Sequence, residues 1–277
     1  MPKERVDHAQ IPVLRLIWPL LVENILRTSL MSVDTLMLSR YSQKAVAAMS
    51  LVHQFAFFIM LIYMMVSLGA SILISQNLGA KRSREAGLIG VGSLVLMVGL
   101  SVALSVLVAL FAGPLVGLYE LDADVAHYAR QFLTLFGGLS FFMGLNLAQA
   151  SIVRAWGYAR ESMWVSIISL LLTVAGNALC LFGPFGLPVL GMLGVAASTV
   201  LSQFIACILY HVIIRRSVEI QLPLDMLTRL PRSVYRAILT VGVPTAGENL
   251  SYNISQIVIF AMIARMGTHA LATVGIV

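Results

Sequence analysis

The chain is short of charge. Of its 277 residues, 11% are Asp, Glu, Lys or Arg and 59% are hydrophobic, whereas a soluble domain carries about 25% charged residues. There is too little polar surface to cover a water-soluble fold, so most of the outer face must meet lipid. Cysteine is scarce as well. Cys180 and Cys207 both fall inside apolar runs, where a free thiol behaves as a small hydrophobe, and no disulfide framework follows. The sequence also lacks a phosphate-cradling Gly-rich loop, a nucleophile–base set and any ligand-spaced His/Cys/Asp/Glu cluster. Nothing therefore supports an enzyme, a metal site or a bound cofactor. Ten-residue segments of alternating polarity, the mark of an outer-membrane barrel, are missing too.

What is present is a series of long apolar runs. In hydrocarbon each backbone N–H and C=O must be satisfied within its own segment, which leaves helices of about 20 residues as the spanning unit. Seven spans are expected, at 11–39, 46–78, 87–112, 127–152, 161–183, 189–214 and 237–265, and an eighth apolar segment begins at 270–277. The first run is too long for a signal h-region and contains Glu23, Arg27 and Asp34, so it is expected to remain as the first span.

The net charge of +6 does not point to nucleic acid, because the cations sit in short loops on one side. Lys3, Arg5 and Arg15, then Lys81, Arg82 and Arg84, then Arg154 and Arg160, then Arg215, Arg216, Arg229, Arg232 and Arg236 make up 13 of the 18 Lys and Arg residues. The other side has Arg40, Lys44, Arg265, an acidic loop with Glu120, Asp122 and Asp124, and an uncharged Gly/Pro turn at 183–191. By the positive-inside rule the amino terminus is cytoplasmic. The basic linker 215–236, with its interleaved Leu and Tyr, is expected to join two lobes and to suit an anionic lipid surface.

An internal repeat divides the chain. Pro19 to Ser50 aligns without gaps on Pro244 to Gly275 at an offset of 225 residues, with eight identities in 32 positions, among them Pro19/Pro244, Glu23/Glu248, Asn24/Asn249 and Arg40/Arg265. A Pro-x3-Glu-Asn pattern opening both spans is hard to obtain from apolar composition alone. Six spans separate the two copies, so both enter the membrane the same way, as in parallel repeats. The expected organisation is a six-helix amino-terminal lobe at 1–214, a cytoplasmic linker at 215–236, and the start of a second lobe at 237–277. The repeat length also predicts a second lobe continuing past residue 277. The seventh span should therefore dock loosely or lack lobe partners.

Charged groups inside the bilayer each need a partner or a task, since insertion costs at least about 2.5–3.5 kcal/mol. Glu23, Arg27 and Asp34 point within about 40° of one another at 100° per residue, so one face of the first span must look into the bundle. Asp34 lies deep in that span and is read as the proton or cation carrier, the alternative being a structural ion pair or a hydrogen-bonded carboxylic acid. Glu23 and Arg27, in the favourable order and spacing, are read as a structural ion pair or gate contact. Asn177, Thr199 and Gln203 could offer neutral oxygens to an ion or substrate, or serve as packing hydrogen bonds between helices. Asn146, Gln149 and Gln54 are weaker versions of the same case. Glu248, with Asn249, Tyr252, Asn253 and Gln256, makes the seventh span the most polar, a face expected to line a cavity. Glu248 is the second candidate for a coupling acid. His53 reads as a side chain satisfied by a neighbour.

Several short motifs then resemble one family in order and topology. Val33-Asp34-Thr35 lies in the first span, followed by Ala45 to Ala48; Gln76-Asn77-Leu78-Gly79-Ala80 ends the second. Arg154-Ala155-Trp156-Gly157 with Arg160 follows the fourth, and Asn177, Phe182-Gly183 and Gly191 through Thr199 to Gln203 fill the fifth-to-sixth hairpin. Together these resemble the multidrug and toxic compound extrusion (MATE) family over essentially the whole chain.

The resemblance implies a two-lobed, twelve-helix antiporter exporting organic cations or drugs against H+ or Na+, and it lifts Asn177 into the candidate site beside Asp34. Two departures stand out. The acidic residue that often follows the fifth-span Asn is absent here, and Tyr252 stands where members with a sodium site in the second lobe tend to have an acid. The second counts against sodium coupling through that lobe.

The expectation is an all-α, multi-pass plasma-membrane protein, monomeric, with membrane lipid and an amphipathic cation as partners and no nucleic acid. The rival readings are a lipid or lipid-linked oligosaccharide flippase of the same broad fold and a non-transporting truncated remnant.

Overall fold

The computed structural model describes residues 13–119, 121–183, 189–217, 220, 222 and 230–265. The amino-terminal residues, the middle of the Gly/Pro turn, most of the linker and the expected eighth segment lie outside the described residues.

Eight α-helices follow one another: α1 (Val13–Tyr41), α2 (Gln43–Gly79), α3 (Ser83–Gly117), α4 (Ala123–Phe132), α5 (Phe141–Ala155), α6 (Ala159–Phe182), α7 (Gly191–Arg216) and α8 (Arg232–Arg265). Among the described residues there is no strand. Helices α2, α3, α6 and α7 are each long and apolar enough to cross a membrane, and the bent pair α4–α5 makes a fifth candidate crossing. Helices α1 and α8, 29 and 34 residues long, exceed the roughly 20 residues that a crossing needs. Large apolar side chains such as Trp18, Leu110, Leu171 and Leu201 are exposed, as a lipid-facing surface requires.

Contacts fix the alternation of the spans. At one end Glu23 of α1 meets Arg154 at the end of α5, and Ser162 at the start of α6 meets Tyr210 near the end of α7. At the other end Lys44 at the start of α2 bridges Asp124 at the start of α4, and Tyr41 at the end of α1 lies against Gly191 at the start of α7. The start of α8 joins the first end: Val234 and Ile238 lie against Gly92 near the start of α3. Helices α1 and α8 therefore begin on the same side, as the parallel repeat requires.

The fourth span differs from the single helix expected over 127–152. Between α4 and α5 the chain runs through a π-helical stretch, Leu133–Gly137, and the two halves are bent by 49°. The cause is local. Helix α3 approaches so closely that a Cβ at Gly137 would lie 2.3 Å from Val108 Cγ1, so no larger residue fits. A break in the hydrogen-bond ladder inside a membrane must be repaired by side chains. Here the Phe141 N–H donates to Ser105 Oγ at 2.9 Å, and Ser140 Oγ lies 3.0 Å from both Ser105 Oγ and Tyr63 Oη. Tyr63 and Ser140 are buried, so the break is a built feature of the core.

Helix α8 also departs from the loose docking expected of it. Its first half lies directly on α2: a Cβ at Gly69 would sit 2.3 Å from the Ile238 carbonyl oxygen, and one at Gly242 only 1.9 Å from that of Met65. Glycine at both positions lets the two backbones touch, the small-residue packing that brings membrane helices together. Further along α8, Glu248, Asn249, Ser251 and Tyr252 are exposed.

Candidate functional site

Three helices build the site around Asp34. The carboxylate sits two-thirds of the way along α1, half-buried. Its Oδ1 accepts a hydrogen bond from Asn177 Nδ2 of α6 at 3.0 Å. Asn177 is 2% exposed, and its Oδ1 accepts from the hydroxyl of Ser198 on α7. Ser198 also reaches the Val195 carbonyl at 3.2 Å. This relay fixes the amide, so that its N–H2 edge faces the carboxylate. Thr199, one residue on, donates to the same carbonyl at 2.8 Å. Helices α6 and α7 approach closely enough for the relay because Gly176 faces Ser198: a Cβ there would lie 2.6 Å from the serine Cβ.

Asp34 lines a cavity of about 170 Å³ with His53, Ser169, Thr173, Thr199 and Gln203 as its other polar walls and Met49, Val52, Phe132 and Phe136 among the apolar ones. None of the described lining residues is Lys or Arg. An intramembrane carboxylate in such a setting holds a proton or attracts a cation, because the charged form lacks a strong cationic partner.

A second cavity, of about 250 Å³, adjoins it and shares Leu30, Ser169, Leu170 and Gln203 with the first. Its charge is compensated. Glu23 Oε1 lies 3.6 Å from Arg154 Nη1, Arg154 Nη1 donates to Ser162 Oγ at 3.3 Å, and Ser162 Oγ is 2.9 Å from Tyr210 Oη. Asn146 donates to Gln203 Oε1 where the two cavities meet, and Thr173 Oγ1 lies 2.7 Å from Ser202 Oγ.

The structure brings Asp34 and Asn177 into direct contact and places Thr199 on the same cavity. It does not bring Glu248 there: this residue is exposed on α8 and lines neither cavity. The side chain of Arg27, assigned in sequence to Glu23, lies outside the described residues. The cation found beside Glu23 is Arg154. Sequence reading treated Arg154 as a loop charge, yet its place at the end of the fourth span, on the side where the first begins, was the available signal. His53 was missed too. Helices α1 and α2 turn back at Ser42, with Asp34 eight residues before it and His53 eleven after, so the two lie at comparable depth on adjacent antiparallel helices.

This fold and site define a multi-pass helical membrane protein with a carboxylate-lined cavity inside its helical bundle. The MatE family model matches residues 19–179, more than half the chain, and the chain belongs to the MatE family of transporters. It is 36% identical over 258 residues to the "Uncharacterized transporter YisQ" of Bacillus subtilis, covering 93% of this chain and 57% of that protein. It is 28% identical over 277 residues to the "Probable multidrug resistance protein NorM" of Thermotoga maritima, covering 98% and 58%. Among solved structures, a MATE protein in complex with MaL6 superposes with a TM-score of 0.85 at 19% identity, over 94% of this chain and 57% of that one. A MOP superfamily transporter from Pyrococcus furiosus superposes with a TM-score of 0.82 at 20% identity, over the same shares. The chain spans a little under three-fifths of the length of these relatives.

Proposed function

We propose that this chain forms the amino-terminal lobe, and the first span of the next, of a secondary antiporter that exports amphipathic organic cations in exchange for protons. The observation that carries the reading is Asp34, held by Asn177 inside the bundle and lining a cavity with no Lys or Arg among its described walls. One carboxylate that holds either a proton or a cation, but not both, exchanges them without long-range coupling. Apolar walls and a single negative charge suit a lipophilic cation. Relatives named as multidrug resistance proteins support the same substrate class. Protons are favoured over sodium because the sequence lacks further acids at the positions noted above.

The site opens alternately to the two sides as the lobes move. The basic loops support a cytoplasmic amino terminus in an inner or plasma membrane. In a cysteine-free background, Ser83→Cys should resist an impermeant thiol reagent on intact cells and Asp122→Cys should react; the reverse pattern would invert this topology. A flippase reading would call for Lys or Arg beside the headgroup phosphate, and the described walls of the Asp34 cavity offer none.

Asp34→Asn tests the proposal, because the amide keeps the size and removes the charge. In the complete protein reconstituted in proteoliposomes, proton-driven efflux of a lipophilic cation should fall to background while membrane insertion is retained. Wild-type efflux with unchanged pH dependence would move the carrier elsewhere, with Glu248 next in line. Loss of expression would make Asp34 a structural residue.

A further inference from the structure

His53 is exposed and makes no hydrogen bond among the described residues, yet it lines the cavity of Asp34. The two side chains are close enough for their charges to interact. They are the only ionisable groups among the described residues that line this cavity. The walls contributed by the other helices are neutral: Phe132 and Phe136 from the fourth span, Ser169 and Thr173 from α6, Thr199 and Gln203 from α7.

The remaining charged groups on the helices packed against α2 stand elsewhere. Helix α1 also carries Arg15, Glu23, Arg27 and Arg40, α4 carries Asp124, His127 and Arg130, and α5 carries Arg154. Helix α3 has Arg84 and Glu85 in its first turn, and α8 has Arg232, Arg236, Glu248 and Arg265. None of these whose side chains are described lines the cavity.

From this pairing we infer that His53 is an internal counter-cation for Asp34 that governs when the cavity accepts a positively charged substrate. Neutral imidazole leaves the carboxylate free to attract an organic cation. Imidazolium, an opposite charge on the wall of the same cavity, satisfies the carboxylate and repels the incoming cation. A proton can then displace the substrate by landing on His53 as well as on Asp34. No bond is made or broken beyond the N–H of the ring. This role rests on Asp34 being the cation-binding group.

The test measures binding of tetraphenylphosphonium to the complete purified protein at pH 7.5 and pH 5.5, and takes the ratio of the two Kd values within each variant. Acid can protonate His53 in the wild-type protein and leaves Gln unchanged, so the ratio of Kd at pH 5.5 to Kd at pH 7.5 should be several-fold larger in the wild type than in His53→Gln, whatever the affinity of the variant at pH 7.5. His53→Arg, a charge that does not titrate, should bind weakly at both pH values with a ratio as flat as that of His53→Gln. A His53→Gln ratio equal to the wild-type ratio would overturn the inference. Loss of binding at both pH values in His53→Gln would overturn it too, since the ring would then be a binding contact and not a switch. Asp34→Asn separates the two claims: undiminished binding by that variant would refute the Asp34 reading itself.

Discussion

The two cavities of the bundle meet at Ser169 and Gln203 but handle charge in opposite ways. In the one that Glu23 lines, that carboxylate is matched by Arg154, and Arg154 in turn donates to Ser162. In the one that Asp34 lines, the carboxylate has a neutral amide, and its relay through Asn177 to Ser198 supplies hydrogen bonds without a compensating full charge. The two carboxylates on one face of α1 thus differ in their partners, an ion pair at Glu23 and a neutral dipole at Asp34.

This contrast breaks most visibly at the Glu23–Arg154 pair. Glu23 is 6% exposed, so Arg154→Ala removes a cation beside a buried carboxylate. That should lower stability by about 3 kcal/mol, the low end for breaking a buried pair, because Arg154 keeps some exposure. A thermal unfolding scan in detergent should show a clear fall in Tm. The double variant Glu23→Gln/Arg154→Gln should recover part of it, since both charges of the pair are then removed.

A smaller effect is expected at the Asp34 cavity. Asn177→Ala deletes one hydrogen bond to a carboxylate, worth about 1.5 kcal/mol. Its more telling consequence is on pH dependence. The amide N–H stabilises the charged form of Asp34, so removing it makes the carboxylate hold its proton to higher pH. The pH profile of transport should shift towards alkaline values in Asn177→Ala, measured as efflux rate against external pH. A profile that does not move would mean that the relay is packing only.

Much of the fold was legible because the membrane allows few solutions. Run length placed each span close to its helix, and the basic loops with the Pro-x3-Glu-Asn repeat foretold that α1 and α8 begin on the same side. The break in the fourth span was not legible. Gly137, Gly138 and Ser140 look like ordinary small residues of an apolar run, and only the approach of Val108 and the Ser105–Ser140–Tyr63 cluster makes them a bend. The tight seat of α8 on α2 was hidden for a similar reason, since Gly69 and Gly242 gain their meaning from each other across the interface.

At the site, Asp34 announced itself by the cost of a charge in hydrocarbon, and the family resemblance selected Asn177. Periodicity along α1 led to Glu23 and Arg27, because a single-helix argument sees only neighbours three or four residues apart. Arg154 and His53 come from other helices, so their relation to Glu23 and Asp34 required knowing which spans pack together. Glu248 was weighted by its polar neighbours on the same helix, of which Asn249 and Tyr252 are, like Glu248 itself, exposed on α8.

The central claim is that a proton and an organic cation compete for one carboxylate-centred site. It is tested most directly by adding tetraphenylphosphonium to the complete purified protein in weakly buffered solution at about pH 6.5 and following released protons with a pH-sensitive dye. The account predicts that cation binding expels protons from the wild-type protein, and that Asp34→Asn neither binds the cation appreciably nor releases protons. Saturable cation binding by the wild-type protein with no proton release, or equal release from Asp34→Asn, would contradict it.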